Sequence, residues 1–182
     1  MPVLCHSRAG TDAADRDAGG RRGHGHCHRN PALTARILIL GIGNPGRGDD
    51  GLGPAAAAAI ARMALPSVTT SDPYQLAIED AADIAEHDVI WFVDATMSGI
   101  DPYTVDEIHP ATEIGFTSHV LSPHAVLGIA RDYFSRTHRA FLLAIRGYNF
   151  AFSEALTPQA AENLADALAM LTRRLRDTGT EP

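Results

Sequence analysis

The chain has 182 residues, of which 45% are hydrophobic and 20% charged, and its formal net charge is −7. This length suits one α/β domain with a sizeable core, while the acidic balance argues against a protein that coats nucleic acid. Two cysteines exclude a disulfide-stapled scaffold and are typical of a reducing cytoplasm. The chain shows neither an apolar run of bilayer length nor the residue order of a secretory signal, so we expect a cytoplasmic protein that does not contact a membrane.

The first segment, residues 1–34, is rich in Gly, Arg, Asp and His and has almost no large apolar side chains. Such a composition cannot offset the entropy of ordering, so we predict a disordered tail. Within it, His24, His26, Cys27 and His28 are donors that suit a soft transition metal and form a candidate tail site. Compositional bias alone is the other explanation of this cluster. Both cysteines lie in this tail, so a metal site in the domain must use oxygen and imidazole ligands.

The remainder, residues 35–182, is predicted to be one domain of alternating strands and helices. Three continuous apolar runs indicate strands buried on both faces, and an alternating run indicates an edge strand. The predicted strands, in chain order, are 37–40, 68–70, 89–93, 103–108 and 141–145. The predicted helices are 53–65, 75–86, one from Ser122-Pro123 to about residue 134, and one from Thr157-Pro158 with Leu164, Leu168, Leu171 and Leu175 on one face. This order predicts an α/β fold with a mostly parallel five-stranded sheet and helices on both of its faces.

Two of the candidate functional positions are acidic, and each follows a predicted strand. Asp49 and Asp50 stand just before the first helix; one of them can cap that helix, and we take Asp50 as the functional candidate. Asp94 follows five apolar residues and needs a partner or a ligand against desolvation, although a capping role in the next loop also explains it. The carboxyl edge of a parallel sheet is where active sites form, so we expect Asp50 and Asp94 at one site.

A third candidate position is a histidine. His124 is predicted in the first turn of its helix, where the helix dipole disfavours the imidazolium form and keeps the ring able to bind metal. His119 lies on the same connection and is its competitor. Two carboxylates and an imidazole suit a divalent metal with open coordination positions. They also suit a carboxylate pair that performs acid–base catalysis.

The glycine-rich loop after the first strand invites two other interpretations. Gly41, Gly43 and Gly46 formally match the dinucleotide-binding pattern, but the aspartates that follow would repel a pyrophosphate. The run from Leu40 to Gly46 also resembles the start of peptidyl-tRNA hydrolases. Its continuation, Arg47-Gly48-Asp49-Asp50-Gly51, has no counterpart of their catalytic histidine. We therefore rank a nucleotide-binding or peptidyl-tRNA hydrolase-like function lowest.

A further resemblance rests on three segments in order. Residues 37–44 followed by Asp49-Asp50-Gly51-Leu52-Gly53, then Val93-Asp94-Ala95, then Ser122-Pro123-His124 with Leu127-Gly128, resemble the maturation proteases of nickel–iron (NiFe) hydrogenases. The resemblance spans about residues 36–175. It implies a three-layer αβα sandwich of the phosphorylase/hydrolase-like kind. It also implies that Asp50, Asp94 and His124 are the metal-binding and catalytic residues.

One departure from the common family pattern concerns the third ligand. The segment Asp72-Pro73-Tyr74-Gln75-Leu76 looks like the branch that serves soluble, cofactor-linked hydrogenases. In that branch, Thr117-Ser118-His119 can supply the imidazole, so the resemblance leaves His124 and His119 as alternatives.

The resemblance implies a site-specific endopeptidase, nickel-dependent or of the aspartic type, that completes hydrogenase maturation. Its partner would be the large-subunit precursor of a NiFe hydrogenase, with nickel carried by that substrate, and we expect the enzyme to be a monomer. The histidine-rich tail supports an alternative, a nickel-binding chaperone or accessory module for hydrogenase assembly.

Overall fold

The computed structural model describes residues 35–100, 102–111 and 121–178. A short 3₁₀ turn, Gly48–Gly51, separates the first strand from the first helix. The strands are β1 (Ile37–Gly41), β2 (Val68–Ser71), β3 (Val89–Thr96), β4 (Tyr103–Ile108) and β5 (Arg139–Arg146). The helices are α1 (Leu52–Arg62), α2 (Asp80–Ala85), α3 (Pro123–Phe134) and α4 (Pro158–Thr178).

The five strands form one sheet in the order β2-β1-β3-β5-β4. All neighbouring strands are parallel except β4, which runs antiparallel to β5 at the edge. In the register, Ile39 of β1 lies between Thr70 of β2 and Trp91 of β3. The prediction of a mostly parallel five-stranded sheet with an edge strand at 103–108 is confirmed.

The side chains of β1 divide between two cores because successive residues of a strand point to opposite faces. Ile37 and Ile39 pack with side chains of α1 and α4, and Leu38 and Leu40 pack with side chains of α2 and α3. All four are at most 2% exposed. Burial of each contributes about 1.5–3 kcal/mol, so a strand that is apolar throughout is stable only between two helical layers. The predicted three-layer αβα sandwich is confirmed.

Several element boundaries differ from the prediction. The second helix was predicted over 75–86 but covers only Asp80–Ala85. The residues before it are held by other contacts: the carbonyl of Pro73 accepts from Gly43 N at 3.3 Å, and Ala77 N donates to the Asp80 carboxylate at 2.7 Å. These two hydrogen bonds hold the residues before Asp80 in a turn, so the helix begins only at Asp80. The first helix ends at Arg62, because Ala64 takes a left-handed conformation with φ of 46°.

Strands β3 and β5 are longer than predicted. β3 continues through Asp94 to Thr96, and β5 begins at Arg139 and ends at Arg146. The two strands pair over their full length, with Asp94 opposite Ala144. The polar end of β3 is therefore part of the sheet, and the carboxylate of Asp94 is held by a strand instead of a loop.

The predicted tail, residues 1–34, lies outside the described residues, as does His119. The boundary between tail and domain therefore stays a prediction. Within the described part of the chain, no helix combines the length and the apolar character that crossing a membrane requires.

Candidate active site

A cleft of about 220 Å³ opens at the carboxyl edge of the sheet, where the chain leaves β1, β2 and β3. Both Asp50 and Asp94 line it, as the sequence predicted for a site at this edge. The lining residues are Ile42, Gly43, Asp50, Tyr74, Gln75, Leu76, Asp94, Leu121 and Pro123. None of them is basic, so the cleft suits a cation or a positively polarised group.

Asp50 is positioned by the 3₁₀ turn between β1 and α1. The backbone N–H of Asn44 donates to its Oδ2 at 3.0 Å, which fixes the carboxylate against the start of the glycine loop. The loop turns back here because Gly43 has a φ of 135°, a value that residues other than glycine rarely adopt. A Cβ on Gly43 would also collide with the carbonyl oxygen of Asp50. Glycine at this position is therefore required to hold the carboxylate in place.

A second glycine sets the approach of α1 to the sheet. A Cβ on Gly53 would collide with the carbonyl oxygen of Ile42 and lie 2.6 Å from that of Val93. The same junction is tied by the N–H of Ile42, which donates to Val93 O at 2.8 Å. Since Val93 precedes Asp94 and Gly53 follows Asp50 by three residues, this close approach brings the two carboxylates to one cleft.

Asp94 has the most perturbed acidity in the site. The pKa of its carboxyl group is raised to about 6: burial is the largest cause, the hydrogen bond from the N–H of Ala95 opposes it, and the negative charge of Asp50 adds a smaller rise. That N–H donates to Asp94 Oδ1 at 2.7 Å. A carboxyl group with this pKa exchanges a proton close to neutral pH, which is the property required of a general acid or base.

Asp49 has a role that the sequence did not reveal. It is fully buried, and its carboxylate accepts four hydrogen bonds. The donors are Tyr148 N at 2.7 Å, Asn149 N at 2.9 Å, Thr157 N at 2.7 Å and Thr157 Oγ1 at 2.9 Å. Burial raises the pKa of Asp49, but the hydrogen bonds lower it by more, so it lies below the usual aspartate range. Neither Asp49 nor Asp50 caps α1, so the capping explanation is wrong.

His124 lies in the first turn of α3 as predicted, and Ser122 caps that helix by accepting from Ala125 N at 3.2 Å. Its side chain is exposed and is not among the residues that line the cleft, although the neighbouring Pro123 is. His124 Nδ1 lies 2.8 Å from the carbonyl oxygen of His109. A carbonyl only accepts, so Nδ1 carries the proton and Nε2 is the nitrogen left for a metal.

A complete metal site is not formed by the part of the chain that the structure describes. There, no group of three His, Cys, Asp or Glu side chains could hold one ion. Asp50 and Asp94 are brought together, and His124 does not join them in such a group. His119 and the tail residues His24, His26, Cys27 and His28 fall outside the described residues. The choice of the third ligand therefore stays a prediction.

Two residues with polar side chains line the cleft but were not predicted from the sequence as site residues. Tyr74 and Gln75 line the cleft on the connection that follows β2, and Asn44 Nδ2 lies 3.4 Å from the Tyr74 hydroxyl. The sequence signal that could have found them is their position directly after a parallel strand.

The glycine loop is not arranged to bind a phosphate. A phosphate-binding loop directs free backbone N–H groups at its ligand. Here the N–H groups instead donate to oxygen atoms of the protein at distances between 2.6 and 3.3 Å; they belong to Gly43, Asn44, Gly46, Arg47 and Gly48. This geometry argues against the dinucleotide interpretation of the loop.

Comparison with solved structures gives three informative similarities. The hydrogenase maturating endopeptidase HybD from E. coli is 24% identical, with a TM-score of 0.62 over 79% of this chain and 94% of that one. The NiFe hydrogenase maturation protease HycI from Thermococcus kodakarensis is 22% identical, with a TM-score of 0.63 over 78% and 93%. An endopeptidase from Escherichia coli is 26% identical, with a TM-score of 0.60 over 80% and 95%.

The chain has the fold of the NiFe hydrogenase maturation proteases. The resemblance that the sequence showed to this family is thereby confirmed. No family model and no curated protein sequence matches the chain. The similarity to the maturation proteases thus rests on three-dimensional structure and on the short motifs around Asp50 and Asp94.

Proposed function

We propose that this protein is an endopeptidase that removes the C-terminal extension from the nickel-loaded large-subunit precursor of a NiFe hydrogenase and so completes its maturation. The observation that carries the proposal is the meeting of Asp50 and Asp94 in one cleft of a chain with the maturation protease fold. The named neighbours are hydrogenase maturation endopeptidases, which supports the same class of reaction here. The acting form in the proposal is a cytoplasmic monomer.

The proposed chemistry is hydrolysis of one peptide bond by water. A carboxylate of the pair takes a proton from the water as its oxygen attacks the scissile carbonyl carbon, and the proton then passes to the leaving amide nitrogen as the C–N bond breaks. The raised pKa of Asp94, to about 6, supports this role because a base near neutrality accepts and returns a proton readily. Asp50 then provides the second carboxylate of an aspartic-type pair.

Nickel enters the proposal as part of the substrate. The described residues offer two carboxylates at the cleft but no third His, Cys, Asp or Glu side chain that joins them in a metal site, so the ion would keep ligands from the precursor. Asp50, Asp94 and an imidazole from His124, or alternatively His119, would complete its coordination. Recognition of the metal would make cleavage follow metal insertion, and the metal would polarise the attacking water or the carbonyl.

The test uses purified nickel-loaded and nickel-free precursor, with shortening of the large subunit followed by mass spectrometry. We expect the wild-type protein to trim only the loaded precursor, and Asp50→Ala and Asp94→Asn to slow trimming by about 100-fold or more. The matched control is Asp106→Asn, because Asp106 is an exposed aspartate on β4, outside the cleft. Trimming by Asp50→Ala at the wild-type rate would contradict the assignment.

A further inference from the structure

The lining of the cleft contains few side chains that can donate a hydrogen bond to a substrate. Apart from the two carboxyl groups, only Tyr74 and Gln75 among the described lining residues carry a polar side chain. The backbone N–H of Gly43 is already used, since it donates to Pro73 O at 3.3 Å. The volume of about 220 Å³ equals that of roughly seven water molecules in the liquid, so a peptide carbonyl bound beside the carboxylates lies near every wall.

Peptide hydrolysis in this cleft places a negative charge on the substrate. When the oxygen of water attacks the scissile carbonyl carbon, the electron pair of the C=O double bond moves to the carbonyl oxygen, which becomes an oxyanion. Ionised Asp50 and Asp94 repel that charge, and no described lining residue is basic. Positioned hydrogen-bond donors stabilise such oxyanions, and one donor contributes about 100- to 1,000-fold to kcat. A neutral donor in the lining would therefore lower the barrier.

The hydroxyl group of Tyr74 has an unused proton. Oδ1 of Asn44 accepts from Gly46 N at 2.8 Å, and Nδ2 of the same amide lies 3.4 Å from the Tyr74 hydroxyl oxygen. Because an amide nitrogen only donates, the phenol oxygen is the acceptor in this contact and its own proton points elsewhere. No described residue accepts that proton. The phenol therefore keeps one donor for a substrate.

Asn44 positions one of the carboxylates as well as the phenol. Its backbone N–H donates to Asp50 Oδ2 at 3.0 Å, while its side chain contacts the Tyr74 hydroxyl. One residue thus sets the phenol and the Asp50 carboxylate relative to each other. By contrast, no hydrogen bond within the described part of the chain holds the Gln75 amide. Stabilisation of an oxyanion depends on donors that are fixed in advance, so Tyr74 is favoured over Gln75.

We propose that the Tyr74 hydroxyl donates a hydrogen bond to the oxyanion that forms at the scissile carbonyl, and that Asn44 positions this hydroxyl. The inference deepens the proposed endopeptidase function and rests on it. The phenol keeps its proton throughout. The electron pair returns from the oxyanion to re-form the C=O bond as the C–N bond breaks, and the leaving nitrogen takes the proton that the carboxylate pair received from water.

The exposure of Tyr74 is compatible with this role. Its side chain is 62% exposed, so a bound peptide can cover the ring. Covering the ring removes competing water and strengthens the hydrogen bond to the developing charge. The contact with Asn44, which is long at 3.4 Å, can shorten in the complex, as catalytic hydrogen bonds commonly do.

The test compares Tyr74→Phe with the matched control Tyr133→Phe in steady-state trimming of the nickel-loaded precursor. Each variant loses one hydroxyl from an exposed tyrosine, but Tyr133 lies on α3 about 15 Å along the helix from Pro123 at the cleft. We expect Tyr74→Phe to lower kcat by about 100-fold with KM changed less than about 2-fold. Tyr133→Phe should leave both constants unchanged.

A double-mutant cycle tests the positioning role of Asn44. Asn44→Ala should lower kcat by about 10-fold in the wild-type background and by less than about 2-fold in the Tyr74→Phe background, where no hydroxyl is left to position. Urea denaturation of each variant checks the fold, because the Asn44 side chain also accepts from Gly46 N. An equal loss of kcat in both backgrounds would mean that Asn44 acts through Asp50 or the loop, and would overturn the positioning role.

The other outcomes each overturn a defined statement. If wild-type protein trims the precursor and Tyr74→Phe keeps its kcat, another group, such as the nickel carried by the substrate, stabilises the carbonyl oxygen. The role of Tyr74 is then wrong and the proposed function stands. A rise in KM at constant kcat means that the phenol binds substrate without stabilising the transition state. Failure of the wild-type protein to trim the loaded precursor overturns the proposed function together with the role of Tyr74.

Discussion

Oδ1 of Asp49 accepts a hydrogen bond of 2.7 Å from the backbone N–H of Thr157, which lies 108 residues further along the chain. The hydroxyl of Thr157 in turn accepts from Ala160 N at 3.2 Å in the first turn of α4. One buried carboxylate thus connects the turn that carries Asp50 with the start of the last helix. The neighbouring aspartates therefore divide their roles: Asp49 joins elements of the fold, and Asp50 faces the cleft.

The first prediction concerns this connection. Asp49→Asn keeps the shape of the side chain but removes its charge and places an amide donor against backbone donors. We expect the free energy of unfolding to fall by about 2–3 kcal/mol, because several charge-assisted hydrogen bonds to one buried group are lost. Urea denaturation with Asp106→Asn as the control measures the change. The exposed control should stay within about 0.5 kcal/mol of wild type, and an equally small change for Asp49→Asn would contradict the role.

The second prediction concerns the pH dependence of stability at Asp94. Its pKa is about 6 in the folded protein and about 3.8 when unfolded, so between these values the folded state binds more protons. Stability from this group is therefore present at low pH and falls as the pH rises from about 4 to 6. Asp94→Asn removes that fall. The free energy of unfolding of the variant, relative to that of wild type, should therefore rise by up to about 3 kcal/mol as the pH is raised from 4 to 7.

The measurement for Asp94 is a difference between two denaturation series, wild type and Asp94→Asn, at matched pH values. The difference is needed because Asp49 and Asp88 have lowered pKa values and change stability with the opposite sign. Their contributions cancel between the two proteins. A difference that stays constant across pH 4–7 would contradict a raised pKa for Asp94.

The third prediction concerns the glycine that sets the approach of α1. Gly53→Ala places a Cβ against the carbonyl oxygens of Ile42 and Val93 and must push α1 away from the sheet. We expect a loss of about 2–3 kcal/mol in stability and, since Asp50 moves with α1, slower precursor trimming. The matched control is Ala58→Gly at an exposed position of the same helix, with a cost of about 1 kcal/mol and no change in trimming.

The fourth prediction separates the tail from the proposed protease activity. Deletion of residues 1–34 removes His24, His26, Cys27 and His28 but leaves the cleft intact. We expect trimming of the loaded precursor at the wild-type rate and a loss of nickel bound by the enzyme alone, measured by equilibrium dialysis. If neither the full chain nor the shortened one ever trims the precursor while the full chain binds nickel, the chaperone alternative replaces the protease.

The sheet could be predicted from the sequence because local pattern decides it. The apolar runs that form β1, β3 and β5 have no polar face, so these strands must be buried between two layers of helices. Because the strands are parallel, their carboxyl ends lie at one edge of the sheet. The same reasoning predicted that Asp50 and Asp94 lie at one site. The length of α2 escaped this reasoning, because the bond from Gly43 to the carbonyl of Pro73 joins parts of the chain that are distant in sequence.

The amino-acid sequence by itself determined the layers of the fold, the edge at which the cleft forms and the presence of two carboxylates there. Only the tertiary structure decided which of the adjacent aspartates is buried, since the donors to Asp49 come from residues about a hundred positions later. It also decided that burial and the nearby charge of Asp50 raise the pKa of Asp94 to about 6. Burial, proximity of charge and satisfaction of backbone N–H groups depend on contacts between distant segments, and local sequence does not encode them.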